Sequence, residues 1–257
     1  MKSLLINKKI VRAYDSIDEM PIVNFQKYNK YLLIDSGIGS DADDIDAHIV
    51  KIAKFMKAGN NKKALQELQN MRQNMYMVNS EISPKYLAFV ALIHDIDGKE
   101  VTDLSDDNLK ALLKEIKTVK HSTIIDFLVW LKKKVTFELE TYFPGDFVNP
   151  KEKEAYDKLK NRTLLVLDSI INDNDNTEQI ELIDMMMVNM HTPKVFIGSD
   201  SVEVKYDKQF ESTCLLIAQK TSMDARKMTV LQFYNAVDNI KQQAEAESKS
   251  LKKHKKR

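Results

Sequence analysis

The chain holds 257 residues, 43% of them apolar and 30% charged, with a formal net charge of +1. That length makes one large domain or two modest ones, and that apolar share is enough to bury a core. No run of eighteen apolar residues offers a membrane span, Met1 to Lys8 lacks a secretory-signal pattern, and the lone Cys214 excludes a disulfide framework or multi-cysteine zinc site; an intracellular setting is expected.

Six glycines and five prolines are about 4% of the chain, where about 12% is ordinary. Tight turns use both residues, so their scarcity points to long elements. The expected fold is mainly α, helical and bundle-like, with one or two small β-hairpins. Leu4–Ile6 and Ile10–Tyr14 flank the polar Asn7-Lys8-Lys9 and read as the first hairpin. Pro21 suits the first turn of a helix over 21–35, with Val23, Tyr28, Tyr31 and Leu32 apolar and Gly37 and Gly39 as its stop. Ser40 or Asp41 caps the next helix, and Asp43, Asp44 and Asp46 complement its positive end. Gly59 ends it. Residues 61–80 carry Ala64, Leu65, Leu68, Met71, Met75 and Val78 on one face. Ser83-Pro84 opens a more apolar helix that runs through Ile93, and Asp97-Gly98 is a turn.

Helices are expected from Ser105 to about 117 and from about 122 to 142. Pro144-Gly145 and Pro150 mark a boundary. Residues 151–172 repeat Tyr156, Leu159, Leu164, Leu165, Leu167 and Ile170, and an Asp/Asn loop leads to a helix over 178–190. Over 194–206, Val195-Phe196-Ile197, Gly198-Ser199-Asp200, then Val202 and Val204 alternating with Glu203 and Lys205, read as a second hairpin. Helices over 207–220 and 222–248 follow. The domains implied are 1–148, a hairpin plus helices, and 149–248, a helical part with the hairpin near 194–206. Residues 249–257 form a basic tail with six cations in nine residues, on a body of about −5.

Few residues suggest chemistry. His94-Asp95 closes the apolar run Phe89-Val90-Ala91-Leu92-Ile93 and resembles the adjacent His-Asp pair of the HD phosphohydrolase family. That resemblance implies a metal site that activates water, with His48 as an upstream ligand and Asp126 as a downstream carboxylate. The family has Gly two residues after the Asp; here Asp97 comes before Gly98. The same pair also reads as a helix C-terminus with His94 near its negative end. Asp41, Asp43, Asp44 and Asp46 read as helix capping rather than a cation site. The stretch from Asp173 has Glu178 where a calcium loop needs Gly. No phosphate-cradling loop or nucleophile elbow occurs, and Cys214 among Leu215, Leu216 and Ile217 reads as a small buried side chain. No catalytic residue and no cofactor is assigned.

Two features point to partners. Lys252, Lys253, Lys255, Lys256 and Arg257 can contact nucleic-acid phosphates, though no aromatic residue interleaves to stack on bases. The chain also has twelve methionines, with Met71, Met75 and Met77 on one helix and Met185, Met186, Met187 and Met190 on another. Met fills gaps in cores and also suits surfaces that repack against varied partners. Three consecutive Met cannot all face one core.

Asp18-Glu19-Met20-Pro21-Ile22-Val23-Asn24-Phe25-Gln26-Lys27-Tyr28, continuing to Asp41, and Met228-Thr229-Val230-Leu231-Gln232-Phe233-Tyr234-Asn235-Ala236-Val237 carry a second resemblance. They are similar to helical proteins of tail and virion modules of bacteriophages of Bacteroides-like hosts, including proteins taken to be tail assembly chaperones. It spans residues 1–110 and the last helix, and 120–220 are unmatched. The resemblance implies a non-enzymatic assembly or structural role with phage tail or capsid proteins as partners, in the host cytoplasm or the virion.

Overall fold

The computed structural model describes every residue except Ser40, Glu81, 117–120, 145–149 and 255–257, with backbone only at 121, 150–153, 189 and 250–254. Ten α-helices and one four-stranded sheet make up the described residues, so the fold is mainly α. None of the described helices is long and apolar enough to cross a membrane. The chain divides into two compact units, each built from separated segments. The first holds Met1–Asp35, Pro84–Asp146 and Glu203–Arg257; the second holds Ser36–Ser83 and Phe147–Val202. The sequence boundary expected at 148/149 lies outside the described residues.

In the first unit, β1 (Lys2–Ile6), β2 (Lys9–Ala13), β3 (Ile93–Ile96) and β4 (Lys99–Glu100) form an antiparallel sheet in that order. Asn7 and Lys8 both have positive φ, 52° and 63°, and so do Asp97 and Gly98, 51° and 81°. Positive φ at both central residues is the hairpin turn whose twist matches the strands it joins. The first hairpin is therefore the one read from Asn7-Lys8-Lys9.

α1 (Ile22–Ile38) buries Ile22, Phe25, Tyr28, Tyr31, Ile34 and Ile38; spacings of mostly three residues carry this apolar strip round the helix, which begins in the first unit and ends in the second. Its start is stitched to the chain before α10 (Val230–His254): Ile22 N donates to Met228 O and Val230 N donates to Met20 O, both at 2.9 Å. α4 (Pro84–Val90), α5 (Asp106–Ile116), α6 (His121–Tyr142) and α9 (Val202–Thr221) supply most of the remaining core of this unit. Phe89 meets Phe127 edge to face at 5.6 Å, and Leu109, Leu131, Ile217 and Val230 are fully buried.

The apolar helix expected from Pro84 through Ile93 stops at Val90, and Ile93–Ile96 is a strand. Leu87 to Ile93 is buried without interruption, and a buried run of that length has no period to separate helix from strand. Pairing decides it: Val11 lies opposite Ile96 and Arg12 opposite Asp95, and Tyr14 N donates to Leu92 O at 2.9 Å. His94-Asp95 is consequently on a strand and not at a helix C-terminus.

The second unit pairs α2 (Ala42–Lys57) with α3 (Asn61–Asn79) and α7 (Pro150–Asn172) with α8 (Thr177–Met190). Asp41 caps α2 in a reciprocal capping box with Asp44, so the acidic run serves the helix start as expected. Gly37 lies inside α1 and does not end it. A Cβ there would overlap the ring of Phe196.

The second hairpin expected over 194–206 does not form. The carbonyl of Lys194 accepts from the Asn70 side-chain amide at 3.1 Å, and Lys194 Nζ donates to Ser36 Oγ at 2.8 Å. The Lys194 carbonyl is thus satisfied by a side chain, and the Val195 carbonyl by the Val202 amide at 2.8 Å, where a partner strand would have done so. Val202 to Lys205 belong to α9, whose inward residues Val202, Tyr206, Phe210, Cys214 and Ile217 keep helical spacing for four turns. That longer period overrides four residues of alternation.

Candidate functional site

Asp95 is the most enclosed carboxylate of the sheet, at 1% exposure. It accepts from Arg12 Nε at 2.6 Å, His94 Nδ1 at 2.6 Å and the Gly98 amide at 3.1 Å. Burial pushes its carboxyl pKa up, and the hydrogen bonds from His94 and Arg12 overcome that and hold it below the ordinary range. Three donors, one of them an arginine, account for this carboxylate: it ties β2 to β3 and closes the 97–98 turn. His94 packs edge to face on Tyr14 at 5.5 Å. Asp126 is exposed on α6.

His48 is engaged in the other unit. Its Nε2–H donates to Ile38 O at 2.8 Å, and its Nδ1 lies 2.8 Å from Glu67 Oε1. A carbonyl only accepts, so Nε2 carries a proton; Nδ1–H donating to the carboxylate makes the ring an imidazolium. Burial pushes the His48 pKa down, but the Glu67 hydrogen bond and the Ile38 carbonyl leave it raised overall. Burial likewise pushes Glu67 up, and His48 with Lys51, 3.4 Å away, leaves it lowered. The two directions agree on a charged, neutralising pair. Among the described residues no group of three or more His, Cys, Asp or Glu could hold a metal ion. His94 and Asp95 of the metal set that the HD resemblance implies are engaged within the first unit, and His48 within the second.

What the second unit buries and what it shows are inverted. Inside lie His48, Glu67, Asn70, Asn74 and Asn176, beside Ile38, Phe55, Ala64 and Phe196. On α3 the buried residues are Ala64, Glu67, Asn70 and Asn74, whereas Leu65, Leu68, Met75 and Tyr76 are exposed. Of the face expected to be the core of 61–80, Leu65, Leu68 and Met75 thus point outward, Met71 and Val78 are half-buried, and only Ala64 is inside.

α7 repeats the inversion. Tyr156, Leu159, Leu164, Leu167, Ile170 and Ile171 are all exposed, the two isoleucines at 74% each. At 100° per residue these six fall within an arc of about 140°. The opposite face, with Lys158, Arg162, Leu165 and Ser169, is half-buried. Of the apolar residues read from the sequence of this helix, only Leu165 turns inward. Arg162 grips Asp184 of α8 through Nε–Oδ1 at 2.7 Å and Nη2–Oδ2 at 3.2 Å, and Asn176 Nδ2 donates to Leu165 O and Asp168. These contacts fix which face α7 turns to α8.

On α8, Leu182, Met185, Met186 and Met190 are exposed and Met187 is half-buried, so the consecutive methionines divide between the surface and the packed side. A cavity of about 260 Å³ lies between α2 and α8, lined by Lys54, Lys57, Ala58, Glu181, Met185 and Val188. Met71, Met75, Met185, Met186 and Met187 all belong to this unit. Tyr156, Leu164, Ile170 and Ile171, exposed as well, were not among the residues the sequence marked as a contact surface; their near-continuous stripe was the available signal, and it reads equally as a core face.

α10 is exposed throughout 241–249. Of Lys252 and Lys253 only the backbone is described, in its last turns, and Lys255, Lys256 and Arg257 lie outside the described residues. No protein-family model, curated protein or solved structure matches the chain.

Proposed function

We propose that this is a non-enzymatic assembly protein of a phage particle, a tail-assembly chaperone or minor virion component, acting by protein–protein contact through its second unit. One observation carries the contact role: that unit buries His48, Glu67, Asn70 and Asn74 while α3, α7 and α8 expose Leu, Ile, Tyr and Met. Monomeric proteins rarely leave an apolar patch larger than a few hundred Å² uncovered. Flexible methionines at Met75, Met185 and Met186 suit a surface that fits an unassembled subunit. The phage setting rests on the sequence resemblance in 18–41 and 228–237.

The test is capture of the tagged chain from phage-producing cells after nuclease treatment, beside a Met185→Glu/Met186→Glu variant. Tail or capsid proteins held by the wild type and released by the variant are expected. Normal particle formation without the gene, or capture that ignores the variant, would overturn the reading.

A further inference from the structure

We infer that the outward face of α7 is a self-association surface, on which a second copy of this chain packs its own α7 antiparallel, with the two-fold axis beside Leu164. The inference rests on α7 alone; it takes that helix out of the surface offered to an assembly partner and leaves α3 and α8 to it.

Three observations carry it. The first is shape. The apolar arc runs from Tyr156 to Ile171, four turns or about 22 Å at 1.5 Å per residue, with α8 confined to the other side. A second helix can therefore lie along it without displacing α8.

The second is area. Six side chains at these exposures present on the order of 600 Å² per copy, so a pair buries about 1,200 Å², the lower end of a specific interface.

The third is charge. Lys160 and Asp168 stand four residues on either side of Leu164, and the Asp168 carboxylate, though it already accepts from Asn172, Asn174 and Asn176, has only neutral donors and keeps its charge uncompensated. At 100° per residue both lie on the same side of the arc's centre, Lys160 within the arc at about 30° and Asp168 beyond its edge at about 110°. Antiparallel helices bring like edges together, so Lys160 of one copy meets Asp168 of the other, twice per dimer. A parallel pair would bring that edge against the opposite one, where Arg162 is already held by Asp184. A sign pattern that complements itself on reversal is what an isologous two-fold contact requires. It gives no such match to an unrelated partner.

The experiment uses the full chain, whose Cys214 is buried and leaves an introduced surface cysteine as the reactive thiol. Under mild oxidation at low micromolar concentration, Leu164→Cys is expected to crosslink to itself. Tyr156→Cys and Ile171→Cys are each expected to stay uncrosslinked alone and to crosslink when mixed. In sedimentation, Lys160→Asp weakens the dimer at least about tenfold, and adding Asp168→Lys to it restores affinity. A monomer throughout, self-crosslinking at Tyr156→Cys as a parallel pair would give, or no rescue by the double reversal would each overturn the inference. Circular dichroism confirms that each variant is folded. A chain that dimerises this way yet captures no virion protein removes only the assembly reading.

Discussion

Arg162 and Asp184 meet through two parallel hydrogen bonds, at 2.7 and 3.2 Å, and this clasp decides the orientation of α7 on α8. Both side chains are about one-third exposed, so solvent screening limits the pair to about 0.5–1 kcal/mol. Arg162→Ala is expected to lower the thermal midpoint by about 2–4 °C at most. Arg162→Lys should recover little of it, because an ammonium cannot grip both carboxylate oxygens in a planar fork. Full recovery by Lys in thermal unfolding would mean that charge alone holds the helices.

The exposed stripe of α7 and the buried core of α6 should answer oppositely to mutation. Leu167→Glu is expected to change unfolding free energy by less than about 0.5 kcal/mol at concentrations where the chain is monomeric, as ordinary surface sites do. Leu131→Ala, at a residue with no exposure, is expected to cost about 2–5 kcal/mol. Urea denaturation measures both. A large cost at Leu167 would show that this face is covered within the chain.

His48 and Glu67 give the second unit a pH signature. His48 is raised above 6.5 in the folded chain, so its contribution is full below about pH 6.5 and is lost as pH rises through the raised value. Glu67 is held below 4.5, so its contribution is present above about pH 4.5 and is lost as pH falls through the lowered value. The advantage of the wild type over His48→Gln should therefore be largest between these limits, on the order of 3 kcal/mol, and shrink toward alkaline pH. Unfolding at about pH 5.5 and pH 9 compares them. An equal difference at both would show that the imidazole is neutral in the folded chain.

Gly39 has φ of 90°, and a Cβ there would overlap Asp44 and the amide of Asn74. Gly39→Ala combines left-handed strain with that overlap and is expected to cost about 1–3 kcal/mol. It should also loosen the link from α1 to α2, read as faster amide exchange around the α2 capping box. Gly59, with positive φ and open space around it, should lose stability to alanine through strain alone.

Much of the fold was legible because it rests on local signals. Asn7-Lys8 and Asp97-Gly98 announced their turns, Asp41 its cap, and the wide spacing of Gly and Pro the long helices. Two segments misled for a physical reason. Leu87 to Ile93 is apolar on every side, so no period distinguishes α4 from β3, and only the pairing with β2 separates them. Val202 to Lys205 alternates, but the inward residues of α9 continue helically to Ile217. The candidate surface was legible only in composition. An apolar stripe at helical spacing says that something covers it; for Leu65, Leu167 and Ile170 nothing among the described residues does. That Glu67, Asn70 and Asn74 take the inner positions depends on their contacts with His48, Ile38 and Lys194, which lie far off in sequence.

The interleaving of the two units sets an order of completion during synthesis. The second unit ends at Val202, while the first still awaits Glu203 onward. A chain growing from its N-terminus can thus close the second unit while Met20 and Ile22 still lack Val230 and Met228, their partners in the strand-like bridge. For the seconds needed to translate the last two helices, the nascent chain carries an incomplete first unit. Over the same interval the apolar stripe of α7 is already on display. A partner that binds it can therefore engage the polypeptide before it leaves the ribosome.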